Sequence, residues 1–166
     1  MTRLHVSAFL IYAGLAFTPA IAASENHELF SAVESQPVSE IWLNPGFVSY
    51  HFRRNTGLNE NNFGLGGEYR YSTTSSFTLG FFENSQSDTS RYVGWYWEPI
   101  GMGSVKLGVL AGMVDGYPVH HGGWFIAIAP VASIEYGHFG ANILLIPNYK
   151  DEITGSISLQ LKLRVY

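Results

Sequence analysis

The chain has 166 residues, no cysteine, a formal net charge of −4 and 13% charged residues against 15% aromatic. Without cysteine there is neither a disulfide framework nor a thiolate metal site. The basic residues are scattered, with no stripe able to neutralise a row of phosphates, which argues against a nucleic-acid partner.

Residues 1–22 have the layout of an export signal: Arg3 near the start, an apolar stretch over 6–17 and a small-residue stop at Ala20-Ile21-Ala22. That stretch falls short of the ~20 residues that span a bilayer as a helix, and no later run approaches them. Cleavage after Ala22 would leave about 140 residues, enough for one domain and too few for two. Residues 23–40 are expected to form an N-terminal periplasmic segment, and 41–166 the folded domain.

From there the pattern is period-two alternation, the signature of strands. In the first strand, 45–54, Ser49, His51 and Arg53 share one face and Val48, Tyr50 and Phe52 the other. In the second, 62–71, Phe63, Leu65 and Tyr69 oppose Gly64, Gly66, Glu68 and Arg70. The third, 76–84, sets Phe77, Leu79 and Phe81 against a face that includes Asn84. In the fourth, 91–98, Val93, Trp95 and Trp97 oppose Tyr92, Gly94 and Tyr96. The fifth, 104–114, opposes Val105, Leu107, Val109 and Met113 to Lys106, Gly108 and Gly112. Strands at 124–136 and 139–147 follow. The last, 154–165, alternates Ile157, Leu159, Leu161, Leu163 and Val165 with Ser158, Gln160, Lys162 and Arg164.

In several of these strands one face is bulky and apolar, the other small or polar. A soluble barrel packs its bulk inside, whereas a narrow lumen under a lipid-facing skin wants glycine and a few hydrogen-bonding groups within. A soluble β-domain with the bulky residues on its core face is the competing reading. Connections at 57–61, 85–90, 115–123 and 148–153 are longer and polar, and those at 72–75, 99–103 and 137–138 mostly tight. Long outer loops and short periplasmic turns put both termini in the periplasm. The expected fold is all-β: an eight-stranded antiparallel up-and-down transmembrane barrel, its lumen too narrow for an open pore.

From about Ile41 onwards the chain resembles the lipid A palmitoyltransferase (PagP) family of outer-membrane enzymes. The residues that carry the resemblance are APVASIEYG from Ala129 to Gly137, LIPNY from Leu145 to Tyr149, the glycine-rich FGLGGEYR of the second strand and the strand holding His51. The resemblance implies an eight-stranded barrel that moves an acyl chain from a phospholipid to lipid A, with no cofactor, inserted by the outer membrane's barrel-assembly machinery. It implies prolines in adjacent strands that open lateral gates, at the positions of Pro130 and Pro147; strand ends or bulges would also account for both. It implies a site formed by His51 and the pair Asn84-Ser85 at the outer rim, where the family carries an Asp-Ser pair. An amide there can orient a hydroxyl but cannot charge-stabilise an imidazolium. The family's amphipathic N-terminal helix has only a proline-broken counterpart in 23–40.

Counting without gaps from Asn84-Ser85, the glycine that floors the family's acyl pocket falls on Tyr96, on the inward face with Gly94. Its ring would either shorten the pocket or swing towards a polar floor at the periplasmic end. Arg53, Arg54 and Arg91, near the outer rim, suit lipid A phosphates, though solvated loop charges are commoner. His120-His121 lacks further ligands at metal-site spacing, so no metal is expected. Gly64–Gly67 lies within a strand, which excludes a phosphate cradle. The alternative functional reading is a non-catalytic outer-membrane barrel that binds acyl chains or plays a structural part.

Overall fold

A computed structural model of the chain describes residues 29–53, 55–118, 121–148 and 154–166. The export signal, Arg54, His120, Tyr149 and Lys150 lie outside the described residues. The chain forms β1 (Ser31–Ala32), β2 (Pro37–His51), β3 (Asn61–Ser72), β4 (Ser75–Glu83), β5 (Thr89–Met102), β6 (Val105–Val114), β7 (Phe125–Tyr136), β8 (Phe139–Ile146) and β9 (Ser156–Arg164). Strands β2 to β9 each pair antiparallel with their neighbours in sequence, and β2 also pairs with β9. The sheet therefore closes on itself as an eight-stranded up-and-down barrel. β1 lies against the lower end of β5, opposite Ile100 and Gly101, where β5 runs on past its last pairing with β4.

β2 begins at Pro37, well before the 45–54 stretch that alternation picks out. The reason is Trp42: it points inwards and is buried, so bulk and polarity exchange faces along this stretch and the period is hard to see. A bulge at Pro45-Gly46 then resets the register against β3. Gly46 is required there, because its φ is +95° and a Cβ would lie 2.3 Å from the Asn62 carbonyl oxygen.

The wall is greasy outside and polar inside. Phe63, Leu65, Phe77, Leu79, Phe139 and Leu161 point out of the barrel, with Phe63 65% exposed and Leu79 64%. Facing in, and buried, are Asn44, Glu68, Arg70, Thr78, Asn142, Gln160 and Lys162. At the end with the tight turns these side chains form a charged plug. Lys162 reaches Glu68 at 3.1 Å and Glu135 at 2.8 Å, Arg70 bonds Glu135 with both terminal nitrogens, and Lys106 lies 3.2 Å from Glu135. The Trp42 ring sits in the middle, with the cationic groups of Lys162, Arg70 and Arg164 within 4.9–5.7 Å of its centroid. Buried charges persist only when paired, and here three carboxylates, Glu40, Glu68 and Glu135, are bridged by four cations, Arg70, Lys106, Lys162 and Arg164.

Candidate active site

Above the plug the lumen changes character. A cavity of about 410 Å³ opens towards the loop end, walled by Phe47, Phe82, Leu110, Ala127, Leu144 and Ile146, with Tyr92 low on one side. Gly66 and Gly80 make room for that tyrosine: a Cβ on them would lie 2.1 and 2.8 Å from the phenol oxygen. Gly94 lines the same cavity. Tyr96 lies beneath, packed with Ala129, Val131 and Leu144, and its hydroxyl donates to Gln160 Oε1 at 3.4 Å, which in turn accepts from Asn142 at 3.0 Å. Its ring separates an apolar chamber from a polar floor.

His51 and Ser85 stand at the cavity mouth. His51 closes β2, points inwards and is buried; Ser85 follows the end of β4. Although β3 runs between their strands, His51 Nε2 and Ser85 Oγ are 3.0 Å apart. A third element joins them from the β6–β7 loop. The Tyr117 phenol faces the Ser85 side chain at the cavity mouth, and burial pushes its pKa up to about 12, so it carries its proton at neutral pH. With Nε2 unprotonated, the Ser85 hydroxyl can donate to it. Tyr117 carries no mark in the sequence, since it lies in a loop without periodicity; so does Glu60, whose carboxylate is 3.9 Å from His51 Nδ1.

Asn84 is fully buried, and its amide is occupied elsewhere. Nδ2 donates to Ser90 Oγ and to the Gly116 carbonyl, both at 3.0 Å, while Oδ1 accepts from the backbone amides of Gln86 and Asp88 at 2.9 and 3.1 Å. Both donors and both acceptor positions are filled. The side chain folds the 84–88 loop that carries Ser85 and does not bond the His51 ring. The Asn59 backbone amide holds the Ser85 carbonyl at 2.8 Å, stitching that loop to the one after β2.

The β7–β8 ladder is incomplete beside the cavity. β7 and β8 pair only from Val131↔Leu144 to Tyr136↔Phe139, so residues 125–130 of β7 pair with β6 alone. Pro130 stands where the β7–β8 ladder stops, and Pro147 lines the cavity just past the end of β8. Arg53 lies beyond the rim, beside His51 and Glu60 in a shallow loop pocket. Arg91 is tied to the buried Asp115 and lies over the Trp124 ring at 5.6 Å.

No family model matches the chain, and no curated protein matches it. The fold and site define a closed barrel with a half-filled lumen, a lateral gap and a histidine–serine pair at the mouth of an apolar chamber.

Proposed function

We propose that the chain is an exported outer-membrane acyltransferase that moves an acyl chain from a phospholipid to lipid A. The observation that carries this reading is the His51–Ser85 hydrogen bond at the mouth of an apolar cavity inside a barrel whose outer face is apolar. Soluble monomers rarely leave a continuous apolar surface in water, whereas a barrel in lipid is stabilised by one. The barrel strands, 8 to 15 residues long, also suit a bilayer, which a tilted strand crosses in about 9–11. The gap between β7 and β8 offers a phospholipid chain a sideways route from the membrane into the chamber, and the resemblance to the palmitoyltransferases concerns the same two prolines.

In the proposed reaction the Ser85 oxygen attacks the ester carbonyl carbon of the phospholipid, and its proton passes to His51 Nε2. The tetrahedral adduct expels the glycerol oxygen, which takes that proton and leaves as lysophospholipid. A lipid A hydroxyl then attacks the acyl-serine, giving its proton to Nε2; the released Ser85 oxygen takes it back. One ester bond breaks and one forms. Lipid A mass spectrometry on a host with and without the gene tests the reading. One added acyl chain is expected, lost by 10²-fold or more in Ser85→Ala and in His51→Ala. An unchanged lipid A profile alongside a correctly inserted barrel would leave acyl-chain binding without transfer.

A further inference from the structure

We infer that Glu60 is the positioning residue for the His51 imidazole, supplying from the β2–β3 side the negative charge that Asn84 lacks. The inference rests on the acyltransferase reading for its kinetic consequence, but not for its geometry.

The placement follows from the ladder. The Cα register of β2 with β3 ends at Val48↔Asn61, and the next rung is the Ser49 amide donating to the Glu60 carbonyl at 2.8 Å. One rung further, the His51 amide has the Glu60 side chain before it instead of a main-chain carbonyl: N to Oε1 is 3.4 Å. The same Oε1 lies 3.9 Å from Nδ1 of the His51 ring. A carboxylate that stands in for a ladder carbonyl is thus fixed beside the nitrogen opposite the one facing Ser85. Closing the remaining gap takes a small rotation of either side chain, and such contacts commonly tighten only when substrate is bound.

The order Ser85 Oγ, Nε2, Nδ1, carboxylate assigns the roles of a serine–histidine–carboxylate site, which is recognised by geometry and not by chain position. Glu60 would favour the tautomer with hydrogen on Nδ1 and steady the imidazolium that forms when Nε2 takes a proton. Asn84 cannot do this, its four hydrogen-bonding positions being filled by the loop it folds. The other titratable groups around the ring among the described residues are Arg53, in the same loop pocket, and Tyr117, behind Ser85. Across β2 the ring's strand partner is the uncharged Ser156.

The test uses detergent-folded full-length protein with ¹⁵N-labelled histidine, assigned with His51→Gln. In Glu60→Gln the His51 titration midpoint should fall by about one pH unit and the population with hydrogen on Nδ1 should drop; Glu60→Asp should restore both. In the transfer assay Glu60→Gln should lower kcat at least tenfold with KM unchanged, well short of the ~10⁴ lost with a fully buried carboxylate. A midpoint and tautomer indifferent to Glu60→Gln would overturn the role of Glu60. A midpoint that shifts in a wild type that transfers nothing would uphold it and overturn the acyltransferase reading instead.

Discussion

Replacing Tyr96 by glycine tests what limits the depth of the chamber. The ring is 2% exposed and packs against Leu144 and Ala129, which line the cavity on its upper side, while its hydroxyl holds Gln160 below. Removing the ring joins its volume to the cavity above, and each additional methylene a donor buries there is stabilised by about 0.8 kcal/mol. A donor two carbons longer should therefore gain about 1.6 kcal/mol, roughly a fifteenfold change in relative kcat/KM. The assay is competition between phospholipids differing by two carbons per chain, with wild type, Tyr96→Gly and Tyr96→Phe compared. Wild type should prefer donors shorter than palmitate and Tyr96→Gly longer ones, while Tyr96→Phe, which keeps the ring, should follow wild type. Truncating a packed aromatic costs about 3–5 kcal/mol, so only variants that keep the heat-sensitive gel mobility of a folded barrel count. An identical chain-length profile in folded Tyr96→Gly would show that Tyr92 and Leu110 set the depth and that the reasoning about Tyr96 is wrong.

Asn84→Asp should not raise activity, because a carboxylate cannot donate to the Gly116 carbonyl that Nδ2 now holds; a loss of about 1–3 kcal/mol in stability, read by urea unfolding, is expected. Lys162→Met removes a cation that faces both Glu68 and Glu135 and should cost about 3–5 kcal/mol in the same measurement, with a change under 1 kcal/mol speaking against a coupled plug. Trp95 and Trp97 stack on the outer wall, so phospholipids brominated on their acyl chains should quench Trp95→Phe and Trp97→Phe less than wild type, whereas a water-facing wall would show no quenching by lipid in any of them. Cysteine at His121 should react with an impermeant maleimide on intact cells and cysteine at His138 only after the outer membrane is broken, the reverse pattern inverting the topology.

The barrel was legible in the sequence because a strand's two faces alternate residue by residue: β9 keeps apolar bulk on one face throughout, and β3, β4 and β5 do so outwardly over several periods although Phe82, Tyr92 and Tyr96 also put rings inside. The inward direction of His51 followed from the same parity, as did the shared face of Gly94 and Tyr96. Where an inward residue is itself large, as Trp42 is, parity lost its meaning and the start of β2 was missed. Alternation also says nothing of distance across the lumen. Only closure of the sheet brings Ser85 to His51, Tyr117 to Ser85 and Lys162 to Glu68, pairs separated by 34, 32 and 94 positions. The part of Asn84 was likewise decided by the fold: the sequence shows an amide beside a serine, but the Gly116 carbonyl and the Ser90 hydroxyl that occupy it come from the next loop and the next strand. The sequence by itself determined which residues of most strands share a face, since that depends on neighbours along the chain; which face points out and which polar groups meet inside depend on register and closure, and those are properties of the whole barrel.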